Sequence, residues 1–163
     1  MKKNFREELL KSIQKTMNEG AYETEYIDDE DGQSLMIMVD ELGEDELGQV
    51  QIELSFEDNN EGAEEVNYMD CLTIFGTYDF SIDVDRINEL YDEINKINLT
   101  TVLGSYQIFK EEEELFYKYS LFLSGDDGAK LADDIEVVLN WIFNMLDMTY
   151  DTMEELVEGK EQE

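Results

Sequence analysis

The spacing of apolar residues along the chain predicts three amphipathic helices. The first extends from about Asn4 to Asn18, with an apolar residue at every fourth position, and Gly20 ends it. The second follows Asp83, whose carboxylate suits the free amides of a first helical turn. The third begins after Gly128 and is the longest. Its predicted apolar stripe contains Leu131, Ile135, Val138, Leu139, Trp141, Ile142, Met145, Leu146 and Met153.

Alternation of apolar and polar residues predicts six strands, four between the first two helices and two between the second and the third. Their predicted ranges are 22–27, 35–39, 50–56, 68–77, 106–109 and 115–123. Residues 50–56 alternate at every position, which is the pattern of an antiparallel strand with one face on the core and one in water. The acidic stretches 28–32 and 111–114 are predicted turns between neighbouring strands.

The element order α-β-β-β-β-α-β-β-α predicts an α+β fold, with an antiparallel sheet of five or six strands and the helices mainly on one side. The 163 residues suit a single domain, residues 1–163, with an ordered core at about 4–157 and a polar tail at 158–163. The longest polar loop is predicted at 57–65. The chain starts without a secretory pattern, lacks the ~20 apolar residues of a membrane span and has one cysteine, Cys71, so we expect a cytoplasmic protein.

Charge narrows the possible functions. The chain has 43 Asp and Glu residues against 11 Lys and Arg residues, a formal net charge of -32, and no His. Such a surface repels nucleic-acid phosphates and anionic lipids, so neither is an expected partner. One Cys and no His exclude a zinc site, the acidic turns lack EF-hand ligand spacing, and no glycine-rich phosphate loop is present. We therefore expect no catalytic residue, cofactor or designed metal site, and a binding protein rather than an enzyme.

The first helix differs in charge from the rest of the chain. Five cations against two carboxylates give residues 1–15 a net charge of +3, which leaves -35 on the other 148 residues. In one interpretation the cations offset repulsion within the same chain, and the apolar stripe belongs to the core. In the other, the helix packs across a dimer or a client protein, and Phe5, Leu9 and Ile13 contact that partner.

Three segments in the second half resemble a known family. They are EINKIN at 93–98, LGSYQI at 103–108 and LFYKYSL at 115–121, and a long amphipathic helix follows them. Together they resemble the YbjN-like group of bacterial sensory-transduction regulators, which has a type III secretion chaperone-like fold. The chain departs from the group in its acidic turn at 111–114 and in the strand around Cys71. The resemblance implies a non-enzymatic, homodimeric protein that binds other polypeptides.

Two functions remain open from the sequence. The first is a chaperone-like or regulatory module that works as a homodimer and holds segments of another polypeptide. The second is an acidic inhibitor or immunity-type protein, including a nucleic-acid mimic, that neutralises a basic partner by charge complementarity. Capture that survives high salt favours the first function, and capture that is lost in high salt favours the second.

Overall fold

The computed structural model describes residues 2–57, 70–124 and 127–159. These ranges contain three helices and six strands in the predicted order, which confirms the α+β class. The helices are α1 (Lys2–Glu19), α2 (Ile87–Asn98) and α3 (Gly128–Glu158). The strands are β1 (Glu23–Asp28), β2 (Gln33–Leu42), β3 (Gly48–Glu57), β4 (Asp70–Tyr78), β5 (Ser105–Phe109) and β6 (Glu114–Leu123). Residues 58–65 of the predicted loop, 68–69 of the predicted fourth strand and 160–163 of the predicted tail lie outside the described ranges.

The six strands form one antiparallel sheet in the order β1-β2-β3-β4-β6-β5. The first four strands follow one another as neighbours, as consecutive strands usually do. After β4 the chain passes through α2 and returns as the edge strand β5, and a turn then places β6 between β5 and β4. The segment before β5 is thereby brought close to α3, which follows β6.

The register of the strands separates the sheet into a covered and an open face. Ile52 in β3 lies opposite Ile37 in β2 and Gly76 in β4, and both isoleucines are fully buried. Directly opposed residues share a face of an antiparallel sheet, so this row faces the helices. Gly76 leaves room on that face, because a Cβ there would lie 3.0 Å from the Ile52 side chain and 3.4 Å from Tyr117.

The starts of α2 and α3 differ in whether an aspartate side chain caps the helix. Asp127 is the N-cap of α3, and its carboxylate accepts a 3.0 Å hydrogen bond from the Lys130 amide. Asp83, the predicted cap of the second helix, accepts instead from the amide of Asp85 at 3.0 Å. It therefore stabilises the 3-10 turn Val84–Arg86 that leads into α2, whereas α2 itself begins without a side-chain cap.

The start of α3 crosses α1 at very short range. A Cβ added to Gly128 would lie 2.8 Å from both the Phe5 carbonyl oxygen and the Leu9 amide nitrogen. Glycine at this position lets the two helix backbones meet without an intervening side chain.

Across the described ranges, no helix has both the length and the apolar content that a membrane span requires.

Candidate functional site

The structure places Phe5, Leu9 and Ile13, the predicted partner-binding residues, together on the inner side of α1. They expose 8%, 0% and 1% of their surface and belong to the same core as α3 and the sheet. These positions match the interpretation of the stripe as core. A partner role for the three residues stays a prediction, and it requires that α1 first separate from its own chain.

Charged side chains of α1 also make contacts within the chain. The guanidinium of Arg6 lies 2.9 Å from a carboxylate oxygen of Asp70 in β4 and 4.9 Å from the ring centroid of Phe56. Lys11 lies 2.6 Å from Glu7, one helical turn away, and 5.1 Å from the ring of Tyr26. Acidic and aromatic groups of the same chain thus contact these two cations of the basic helix.

A second apolar stripe lies on the outward side of α3. Val137, Trp141 and Met148 expose 58%, 68% and 84% of their surface, and Met145 between them is partly buried. Their spacing of four, four and three residues places them on one helical face. The prediction that Trp141 widens the core stripe is therefore wrong. Leu139, Ile142 and Leu146 are buried in the core, whereas Trp141 lies on a side of α3 that is exposed.

The connection between α2 and β5 adds apolar surface beside this stripe. Leu99 exposes 86% and Val102 exposes 91% of its surface. Five of the nine large hydrophobic side chains that are exposed in the described ranges lie on this connection or on α3. Surface apolar residues scattered singly need no explanation, but a cluster of them is a candidate interaction site.

Three of these exposed residues, Val102, Trp141 and Met148, line a groove between the end of α2 and the middle of α3. Its cavity measures about 560 Å³. The apolar side chains that line it are Ile97, Val102, Leu103, Trp141, Met145 and Met148. We call this part the apolar half of the α2–α3 groove.

The groove continues toward the start of α2 and the end of α3 as a second cavity of about 950 Å³, and Ile97 lines both parts. Five carboxylates line this second part, which we call the acidic half. They are Asp83, Glu89, Glu93, Glu155 and Glu158. The cation among the lining residues is Arg86, which lies 3.5 Å from a carboxylate oxygen of Glu89 and donates a 3.3 Å hydrogen bond to the Leu156 carbonyl.

The wall formed by the α2–β5 connection is held in place by hydrogen bonds. The side-chain amide of Asn98 donates to the Tyr106 carbonyl and accepts from the Tyr106 amide, both at 2.8 Å, so it pairs with the edge strand β5 as a backbone would. The Tyr117 hydroxyl donates a 2.8 Å hydrogen bond to the Leu103 carbonyl. Gly104 has a φ of +68°, and any Cβ there would collide with the Tyr117 hydroxyl. The exposed Val102 is therefore carried by a fixed loop.

The opposite wall is tied to the same strand. The hydroxyl oxygens of Tyr106 and Thr149 lie 2.6 Å apart, and Thr149 donates to the Met145 carbonyl at 2.8 Å. Burial raises the pKa of the Tyr106 hydroxyl, which keeps it neutral near physiological pH. Both walls of the apolar half are thus hydrogen-bonded to Tyr106, and the groove is present in the single chain.

The open face of the sheet carries a different apolar feature. Phe116 stacks between Phe75 and Phe109, with ring centroids 4.8 Å and 4.6 Å away. Polar residues such as Gln51 and Thr73 share this face by register, and the lining of a cavity there includes Gln49, Gln51 and Thr77. In the described part of the chain, no group of three or more Cys, Asp or Glu side chains is arranged to hold a metal ion.

Comparison of the chain with protein-family models, curated proteins and solved structures finds no match. The resemblance to the YbjN-like group and to its chaperone-like fold stays a prediction. The segments that carry the resemblance nevertheless have visible structural roles, because they supply Asn98, Gly104, Tyr106 and Tyr117, which hold the groove wall.

Sequence reasoning did not find the groove, although two signals pointed toward it. Leu99 and Val102 are apolar residues between a predicted helix end and a predicted strand start, where polar residues are usual. Trp141, Met145 and Met148 form a stripe offset from the main apolar stripe of the third helix. Neither signal shows that the two segments meet, because that depends on the position of β5 in the sheet.

Proposed function

We propose that this chain is a non-enzymatic, cytoplasmic binding module, chaperone-like or regulatory, that holds a segment of another polypeptide in the α2–α3 groove. The observation that carries the proposal is the preformed apolar half, with exposed Trp141 and Met148 on one wall and Val102 on the other. Tryptophan is enriched among residues that dominate binding energy, and methionine adapts its shape to varied apolar partners.

The fixed walls support binding as the output of the site. A groove that is ordered before binding loses little conformational entropy when a partner enters, so more of the contact energy becomes affinity. The hydrogen bonds from Asn98 and Tyr117 provide this order in the α2–β5 connection, and Thr149 provides it in α3.

The alternative is an acidic inhibitor or immunity-type protein that neutralises one basic partner. The acidic half of the groove favours it, because five carboxylates face the same cavity as Arg86. Both functions use the same groove and differ in the range of partners. Measurement of binding at low and high salt separates them, since long-range charge attraction is screened by salt and apolar contact is not.

The proposal is tested by selecting binders for the groove. A display library of random 16-residue peptides is enriched on the immobilised chain at about 150 mM salt, where charges further apart than ~8 Å are screened. We expect enriched peptides with clustered apolar residues. Trp141→Ala should weaken their binding at least about tenfold, as truncation of a central aromatic residue does at interfaces.

Phe122→Ala is the matched control, because Phe122 is also 68% exposed but lies on the open face of the sheet. It should leave peptide binding within about twofold of the unmodified chain. Failure to enrich any peptide, or equal losses for Trp141→Ala and Phe122→Ala, would exclude the groove as the binding site.

The homodimer implied by the family resemblance is part of the proposal and has a separate test. Light scattering of the purified chain should give the mass of two subunits, against 19.0 kDa for one. If light scattering gives the mass of one subunit throughout the micromolar range, the homodimer is wrong. The proposed binding in the groove does not depend on that result.

A further inference from the structure

The two halves of the α2–α3 groove follow one another along a single helix. Trp141 and Met148 line the apolar half, and Glu155 and Glu158 line the acidic half further along α3. The distance from Trp141 to the end of α3 at Glu158 is about 26 Å at 1.5 Å per residue. A partner that occupies the whole groove therefore meets apolar side chains at one end and carboxylates at the other.

The acidic half is suited to cations for two reasons. The C-terminal end of a helix carries partial negative charge, and the last turn of α3 itself contains no basic residue. Glu155 and Glu158 add negative charge there, and Asp83, Glu89 and Glu93 line the same cavity. Glu89 contacts Arg86, and Glu93 contacts Lys96. Arg86 shows which chemistry fits, because its guanidinium contacts both Glu89 and the Leu156 carbonyl at this helix end.

The outward stripe of α3 favours a helical occupant. Val137, Trp141, Met145 and Met148 form a ridge of the kind that packs against the ridges of another helix. A third helix laid beside α2 and α3 would cover this ridge over most of its length. Such a helix needs apolar residues at a spacing of three and four along the apolar half and Lys or Arg residues along the acidic half.

A second copy of this chain does not supply such a helix. Its basic helix, α1, has its apolar stripe buried in its own core, with Leu9 fully enclosed. Outside α1, the six remaining Lys and Arg residues of the chain are scattered singly, so no other segment of a second copy is basic. Charge complementarity therefore selects a different protein with a basic segment.

We infer that the α2–α3 groove binds a basic amphipathic helix of another protein, with its apolar residues on Trp141 and its cations in the acidic half. This inference rests on the proposed function and adds the chemistry of the partner. Peptides enriched on the groove should accordingly carry more Lys and Arg than the starting library, placed to one side of the apolar cluster.

The test uses one enriched basic peptide without tryptophan and its Lys→Gln and Lys→Glu versions. Trp141 is the sole tryptophan of the chain, so its emission reports occupation of the apolar half without a label. We expect a blue shift on binding, an affinity at least about tenfold lower for the Lys→Gln peptide, and a still lower affinity for the Lys→Glu peptide.

Two matched pairs of substitutions change the net charge by the same amount at two different places on the surface. Glu89→Lys with Glu158→Lys alters the acidic half, and Glu23→Lys with Glu25→Lys alters exposed positions on β1, at the opposite edge of the sheet from β5. The first pair should weaken the basic peptide at least about tenfold, and the second less than about threefold. If the first pair lowers the melting temperature, Glu89→Gln with Glu158→Gln replaces it and should still lower affinity.

The outcomes separate the inference from the proposed function. If the groove binds peptides that have no surplus of cations, or if the two pairs of Lys substitutions cause equal losses of affinity, the inference of a basic helical partner is wrong. The proposal of a binding module still stands in that case. Binding of a second copy, seen as a Trp141 blue shift that grows with protein concentration alone, overturns the choice of partner. Absence of any groove-dependent binding overturns the proposed function itself.

Discussion

At the residue scale, three buried tyrosines differ in how their hydroxyl groups are satisfied. Tyr106 pairs with Thr149, and Tyr117 donates to the Leu103 carbonyl. The Tyr78 hydroxyl is buried and makes no hydrogen bond of ordinary geometry within the described residues, although the Tyr106 hydroxyl lies close enough to influence its pKa. Burial raises the pKa of Tyr78 well above its ordinary value, so the hydroxyl stays neutral. An unsatisfied buried hydroxyl carries a desolvation cost that its ring does not share.

Tyr78→Phe should therefore raise the free energy of unfolding by about 1 kcal/mol, because it removes a polar atom that has no partner. The ring contacts with Phe80 and Tyr150 remain. Chemical denaturation followed by circular dichroism measures the change.

Tyr117→Phe is the matched control, since it removes a hydroxyl that does have a partner, and it should lower stability by about 1 kcal/mol. A loss of stability in Tyr78→Phe of the same size would show that its hydroxyl is satisfied.

The sequence predicts that these tyrosines lie in patterned segments, but it does not distinguish their hydroxyl groups, whose partners come from distant positions.

At the element scale, periodicity predicted every helix and strand that the structure describes, because burial on one side imposes a period of 3.6 or 2 on the sequence. The rotation of α3 about its axis was predicted less well. The apolar residues of this helix cover more than one face, so Trp141 could be assigned to the core by its spacing alone. Contact with the sheet decides which of these residues face inward.

The crossing of α1 and α3 gives a prediction of unusual sign. Gly128 is the first residue of α3, and replacement of a helical glycine by alanine usually stabilises, by up to about 1 kcal/mol in a helix interior. Gly128→Ala should instead destabilise by about 1 to 3 kcal/mol, because its Cβ would meet the backbone of Phe5 and Leu9, which cannot move as a side-chain end can. Thermal unfolding followed by circular dichroism measures the effect.

Gly20→Ala provides the comparison. A Cβ at Gly20 would have neighbours no nearer than 3.4 Å, which is ordinary contact, and stability should change by no more than about 0.5 kcal/mol. Stabilisation by Gly128→Ala would mean that α1 and α3 lie further apart than the structure shows.

At the scale of the whole molecule, a net charge of -32 opposes compaction. Contacts such as Arg6 with Asp70 and Lys96 with Glu93 pair some charges locally, but acidic residues outnumber basic ones by 43 to 11. The continuous apolar core, which runs from α1 through the sheet to α3, holds the chain together against this repulsion.

Salt should therefore stabilise the protein. Raising NaCl from about 10 mM to about 150 mM shortens the screening length from about 30 Å to about 8 Å. The melting temperature should rise by at least about 3 °C, which corresponds to roughly 1 kcal/mol for a domain of this size. Differential scanning calorimetry at several salt concentrations measures it.

Glu23→Lys with Glu25→Lys reduces the net charge from -32 to -28 and should reduce the salt effect. If sucrose at the same osmolality raises the melting temperature equally, the cause is exclusion of the solute from the protein surface and not charge screening. A melting temperature that is independent of salt would show that the carboxylates are spaced widely enough to avoid repulsion.

The sequence by itself determined the α+β class, the order of the elements and the acidic surface, because periodicity and composition are local properties of the chain. The tertiary structure alone decided that β6 lies between β4 and β5, which brings the α2–β5 connection beside α3. It also decided that Phe5, Leu9 and Ile13 face the core while Trp141 faces a groove. Strand order and helix rotation depend on contacts between residues far apart in sequence, and no local pattern encodes them.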